Sequence, residues 1–276
     1  MKSNFLQRSL TAIFFVIFLL SGVFINKYVF LGVFLLITIL SLDEFYKLLK
    51  KMTIETLKIP GIIISSLFFI SMFLVSYKML PSEIFIIFIP IILILTLSEL
   101  YNKKENNFQR LAYTFFGLIY VGLPFAILIK FTTFGINQNG FNFAVLFGFF
   151  LTIWANDTGA YIVGSAIGKR RLFERISPKK SWEGSIGGFL FTLISAYILS
   201  IFFKDLSLIQ WIIFSIIIAI FGTYGDLFES LLKRKAQIKD SGTILPGHGG
   251  MLDRFDSVLF ASPAIYCFLV LVEYFN

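Results

Sequence analysis

The sequence predicts an all-α integral membrane protein, a polytopic bundle of about nine transmembrane helices. Three observations predict it. Hydrophobic residues fill 57% of the 276 positions and charged residues only 14%, whereas a soluble domain carries about 25% charge. The apolar residues fall in recurring blocks of roughly 16–22 residues, about the length that crosses a hydrocarbon core. The basic residues lie on one side of those blocks.

In chain order the spans are Leu10–Ile25, Tyr28–Leu42, Pro60–Tyr77, Glu83–Glu99, Leu111–Ile129, Phe141–Val163, Ser185–Phe203, Leu208–Tyr224 and Ser257–Val272. Asn26 and Lys27 alone separate the first two, so a tight helical hairpin is expected there. The first span follows Lys2 and Arg8 as a signal-peptide core does. It lacks a small-x-small cleavage site and runs into another span, so it reads as a retained helix. The sixth is unusual in carrying Asn156, Asp157 and several glycines.

With nine spans, the N-terminus and the loops after spans two, four, six and eight share one side. Every Lys and Arg lies on that side except Lys27, Lys78, Lys130 and Lys204. Positive charge marks the cytoplasmic face. The expectation is a multi-pass protein of the cell (inner) membrane with its N-terminus and polar loops in the cytoplasm. Topology and anionic headgroups then account for the net charge of +8, and no nucleic-acid partner is expected. The single cysteine, Cys267, excludes an internal disulfide and reads as a small core residue.

Residues 1–140 read as scaffold. Their charges sit at span ends, and Glu44, Lys50, Lys51, Lys103 and Lys104 are expected to be solvated at the interface. Residues 141–276 read as the catalytic region of one integrated membrane domain, with loops at 165–184 and 225–256. Asp157 lies inside an apolar span, where an ionisable group is costly unless it faces a cavity or a partner. Gly159, Gly164 and Gly168, and then Gly184 and Gly188, permit close helix contact. Pro178 stops any helix from running through the next loop, and Ser181 or a neighbour is placed to cap the helix that follows. Lys179 and Lys180 would then stand near a helix N-terminus, an arrangement that attracts phosphate.

The richest segment runs from Gly225 to Ser257, GDLFESLLKRKAQIKDSGTILPGHGGMLDRFDS. If Asp226 opens a short helix, Ser230 and Lys233 share its face, with Glu229 beside them. Lys239 and Asp240 lead into a loop with Gly242, Pro246, Gly247, Gly249 and Gly250 around His248, whose backbone N–H groups suit phosphate oxygens. Asp253 and Asp256 then share a helix face around Arg254. Magnesium takes one or two carboxylates and completes its shell with water and substrate phosphates. Asp226 and Asp253, from different helices, could meet across one such ion, and the lysines and Arg254 would neutralise a triphosphate.

Ser230-Leu-Leu-Lys233-Arg234, Lys239-Asp240-Ser-Gly242, Leu245-Pro246-Gly247-His248-Gly249-Gly250 and Asp253-Arg254-Phe-Asp256 together resemble the signature of the phosphatidate cytidylyltransferase (CDP-diglyceride synthase) family. The Gly225–Ser230, Ser177–Gly184 and Asp157 segments resemble family blocks too, so the likeness runs over roughly residues 150–260, with Ser181 where Thr is more usual. The resemblance implies transfer of the cytidylyl group of CTP to phosphatidic acid with Mg²⁺, and suggests a second, monovalent ion. It implies metal ligation by Asp226 and Asp253 with Ser230 and Asp256 in support. Catalytic work would fall to Asp226, Lys233, Asp253, Asp256 and His248. Substrate contacts would come from Asp157, Lys179, Lys180, Ser230, Arg234, Lys239, Gly249, Gly250 and Arg254. The expected partners are CTP, phosphatidic acid and the bilayer, with a homodimer an open assembly. A CTP-dependent lipid or polyprenol kinase and an anion transporter are the competing readings. The first lacks a reason for the complete GHGG-x-x-DR-x-D block, and the second predicts polar residues in spans of both halves.

Overall fold

In lipid every backbone N–H and C=O must find its partner inside the segment, which leaves apolar blocks of this length one solution, the helix. The computed structural model describes residues 2–103, 106–135, 140–244 and 249–275, with side chains from Leu10 onward. Lys104, Leu245, Pro246, Gly247 and His248 lie outside the described residues. The helices are α1 (Lys2–Phe24), α2 (Lys27–Lys51), α3 (Lys58–Ser76), α4 (Phe88–Leu100), α5 (Asn107–Gly117), α6 (Leu123–Phe131), α7 (Ala144–Ile167), α8 (Trp182–Phe202), α9 (Leu208–Lys235) and α10 (Leu252–Phe275). A 3₁₀ turn, Ser82–Ile87, leads into α4, and a wide π turn, Leu118–Gly122, joins α5 to α6. Pro124 offers no N–H to the carbonyl of Tyr120, which lets the ladder widen there.

Seven of these stretches are long and apolar enough to cross a membrane. The apolar part of α1, Leu10–Phe24, and the 24-residue α7 complete the nine expected spans. The chain is a multi-pass membrane protein. The α1–α2 hairpin forms as expected, with the Asn26 side chain accepting from the N–H groups of Tyr28 and Val29 at 2.9 and 3.0 Å. Exposed Phe14, Ile17, Ile94, Leu190 and Ile194 face outward from the bundle. Rings carry its core: Phe34 touches Phe150, which touches Phe255, which touches Phe125, linking α2, α7, α10 and α6.

Four expectations need correction. Cys267 is exposed, because it falls on the outer side of α10. Glu44 is 1% exposed and buried inside the bundle, on the same stripe of α2 as buried Ile37, Ser41 and Leu48. Asp226 opens no new helix: α9 runs unbroken from Leu208 to Lys235, about 42 Å at 1.5 Å per residue, longer than a hydrocarbon core of about 30 Å. Buried Leu227, with Phe228 and Leu232 packed on the core, carries its apolar stripe past Tyr224. The loop expected over 225–256 therefore shrinks to the stretch between Lys235 and Leu252, since α10 also begins earlier than expected and takes in Asp253 and Asp256. Finally, the 165–184 segment contains an antiparallel hairpin, β1 (Arg171–Phe173) and β2 (Ser177–Ser181), pairing Arg171 with Ser181 and Phe173 with Ser177.

Candidate active site

The site lies where α7, α8, α9 and α10 converge at one end of the bundle. Small residues set how close they come. Gly159 and Gly164 of α7 pack against Gly187 and Gly184 of α8, and a Cβ on Gly188 would lie 2.7 Å from the buried Asn156 side chain. A Cβ on Gly225 of α9 would lie 2.5 Å from the carbonyl oxygen of Asp256 on α10. Only glycine allows that approach, and it sets Asp226 beside the first turns of α10.

Ser181 caps α8 as expected, accepting from the Gly184 N–H at 3.1 Å. Glu183 folds back to accept from the N–H groups of Lys169 and Arg170 at 3.0 and 3.2 Å, which ties the end of α7 to the start of α8. Lys179 and Lys180 thus stand on β2, just ahead of that helix. Lys180 Nζ reaches across to Asp226 Oδ2 at 2.5 Å, and Ser230 Oγ donates to Asp226 Oδ1 at 3.2 Å. Arg234 Nε donates to the carbonyl of Ile176 at 3.4 Å, so it braces the hairpin against α9.

Lys233 pairs with both Glu229 and Asp253, lying 2.7 Å from Asp253 Oδ1. Asp253 Oδ2 accepts from the backbone N–H groups of Ser241 and Gly250 at 2.9 and 2.8 Å. Two loop amides of the kind expected to meet phosphate therefore fold the loop onto Asp253. Gly249 makes this fold possible: its φ is +87°, and a Cβ there would lie 2.8 Å from Asp253 Oδ2. Lys239 and Asp240 are exposed in the loop, outside the contact network of Asp253.

Two cavities of about 490 Å³ each meet at these acids. The first lies between α7, α8, α9 and the hairpin and is lined by Asp157, Lys179, Lys180, Thr223 and Asp226, with Arg171 and Ser185. The second lies between α1, α7 and α10; Ala12, Phe15, Leu19 and Trp154 line it, together with Asp157, Asp226, Asp253, Arg254 and Asp256. Asp157, Asp226 and Ser257 border both. Asp256 Oδ1 accepts from the Ser257 N–H at 2.6 Å.

The geometry thus brings together Asp157, Lys179, Lys180, Asp226, Asp253, Arg254 and Asp256. Ser230 and Lys233 act on those residues from behind, Arg234 braces the hairpin instead, and neither cavity includes Lys239, Gly249 or Gly250. Among the described residues no three His, Cys, Asp or Glu side chains stand in metal-ligating geometry. Sequence reasoning missed Arg171, Thr223 and Ser257, which carry no spacing signal, and Glu44, whose partners Ser241 and Leu252 lie about two hundred residues on.

A model of the Cytidylyltransferase family matches residues 6–272. The phosphatidate cytidylyltransferase of Bacillus subtilis is 34% identical over 272 residues, covering 96% of this chain and 97% of that protein. Phosphatidate cytidylyltransferases of Staphylococcus saprophyticus and Staphylococcus aureus are 41% and 39% identical over 171 residues, covering 61% of this chain and 63% of each of those proteins.

Proposed function

The chain belongs to the cytidylyltransferase family, and from that premise we propose that it transfers the cytidylyl group of CTP to phosphatidic acid, giving CDP-diacylglycerol and pyrophosphate. One observation carries the residue-level reading: two cavities of different character meet at Asp226. The first, with Lys179, Lys180 and Arg171 on its wall, suits the triphosphate of CTP. The second, walled by Phe15, Leu19 and Trp154 and carrying Arg254, suits a lipid whose phosphate must approach from the bilayer.

A phosphate oxygen of phosphatidic acid attacks the α-phosphorus of CTP in line. The P–O bond to the β-phosphate breaks, and pyrophosphate leaves with the electron pair. The attacking phosphate is already largely ionised near neutral pH, so positioning and charge neutralisation supply most of the acceleration. Lys179 and Lys180 hold the nucleotide phosphates, and Lys180 leaves Asp226 as they arrive. Lys233, Ser241 and Gly250 fix the Asp253 carboxylate, and Arg254 receives the lipid phosphate. The carboxylates at the junction offer hard oxygen donors, the donor type magnesium prefers. Asp226 and Asp253 would hold Mg²⁺, with Ser230 and Asp256 in support, and the bound ion would neutralise charge developing on the phosphates. The basic residues of the loops support a cytoplasmic reading for this end of the bundle, the side on which CTP is available.

The test supplies purified protein with phosphatidic acid, Mg²⁺ and CTP labelled at the α-phosphate. A labelled liponucleotide with release of pyrophosphate is expected. Label reaching lipid only from the γ-phosphate would identify a lipid kinase, and no transfer from either position would overturn the reading.

A further inference from the structure

Glu44 stands in the scaffold half, yet it is 1% exposed and contacts the loop that enters α10. Its Oε2 accepts from Ser241 Oγ at 3.1 Å and from the Leu252 N–H at 2.8 Å. Leu252 is the first residue of α10, so Glu44 supplies from another helix an acceptor for one of the N–H groups that a helix start leaves unpaired, at the end where the dipole favours an anion. The loop is shaped around this carboxylate. A Cβ on Gly242 would collide with Glu44 Oε1, and one on Gly250 would collide with Glu44 Oε2 and Ser241 Oγ.

Burying a carboxylate is costly unless it is paired. Among the described residues no ion pair reaches Glu44, and its Oε1 has no hydrogen-bond partner. Its own helix is nonetheless held firmly. Asp43 pairs with Lys47 and Lys58 at 2.6 and 2.5 Å, and Tyr46 donates to the Thr114 carbonyl at 3.0 Å. Ser241 is the shared element: its side chain donates to Glu44 and its N–H donates to Asp253. Two carboxylates from opposite halves of the chain therefore grip one loop.

We infer that Glu44 is a positioning residue, which fixes Ser241 and the start of α10 at Leu252 and through them the Asp253 carboxylate at the reacting centre. The inference rests on the proposed cytidylyl transfer for its effect on rate, but its effect on the loop can be measured separately.

Glu44→Gln keeps the shape and removes the charge. It is expected to lower kcat and kcat/KM together by roughly 10- to 100-fold, the range seen when an outer-shell partner is lost. Hydrogen exchange should rise in peptides spanning residues 241–252 and stay unchanged in α3–α6. Asp43→Asn, which breaks only partly exposed pairs within α2 and to the start of α3, should stay within about twofold of the parent in rate. If Glu44→Gln does not accumulate, Ser241→Ala removes the hydroxyl that donates to Glu44 and should shift rate and loop exchange in the same direction. Unchanged rate and loop protection would overturn the inference, as would a rate loss accompanied by faster exchange throughout the bundle, which marks a general packing role. A parent protein without transfer activity would sink the proposed function instead, and loop exchange in the variants would still decide the role of Glu44.

Discussion

Lys233 Nζ lies 2.7 Å from Asp253 Oδ1 while also pairing with Glu229, one turn back on its own helix and fully buried. One ammonium thus serves two carboxylates from α9 and α10. Removing one member of a buried charge network leaves the others uncompensated and costs about 3–5 kcal/mol. Lys233→Met is therefore expected to lower the midpoint of thermal unfolding in detergent and to abolish transfer. Adding Glu229→Gln should recover much of the stability without recovering activity, because Asp253 still lacks its ammonium. Full activity in Lys233→Met would contradict this account.

Asp226 tests a different division. It is held by Lys180 and Ser230 and borders both cavities. Asp226→Asn should leave thermal stability nearly unchanged and reduce turnover by about 10²–10³-fold, the scale for losing one electrostatic stabiliser of a transition state. Raising Mg²⁺ should recover part of that loss if Asp226 is a ligand. Lys180→Ala should act mainly on KM for CTP, read from initial rates at saturating lipid.

The fold was legible because the membrane restricts it so strongly. Apolar length and the side occupied by Lys and Arg yielded nine spans in order, including the sixth, whose Asp157 proved to face a cavity. Helix ends near polar segments were less legible. Leu227, Phe228 and Leu232 continue α9 beyond the hydrocarbon length, and no periodicity over the apolar block alone could show where it stops. The site residues came from the density of charge and glycine between Gly225 and Ser257. Which of them touch was not readable. The partners of Asp253, Lys233 and two loop amides, depend on how Gly249 turns, which spacing alone does not show. Glu44 was placed at the surface because its partners lie about two hundred residues away in sequence.

The α9–α10 crossing depends on one absent side chain. A Cβ on Gly225 would press on the Asp256 backbone, which has no rotamer to yield with. Gly225→Ala should cost about 1–3 kcal/mol, the usual penalty for overpacking. It should also separate Asp226 from Asp256, and misplacement on the order of 1 Å can cost about 10²-fold in rate. The same change at Gly222, where a Cβ would meet Ser257 at an ordinary 3.5 Å, should be tolerated. Comparing the two in one unfolding and activity series separates close approach from general sensitivity of the helix pair.

The two cavities predict that the substrates can be obstructed separately. Ala12 of α1 lines only the second cavity, and Ser185 of α8 only the first. Ala12→Trp should narrow the path of the lipid and raise KM for phosphatidic acid in mixed micelles, with KM for CTP unchanged. Ser185→Trp should do the reverse. Each ring would stand away from the charged groups at the junction, so kcat at saturation should fall far less than kcat/KM for the obstructed substrate. If Ala12→Trp raised KM for CTP alone, the assignment of the cavities would have to be exchanged, and Arg254 rather than Lys179 would then face the triphosphate.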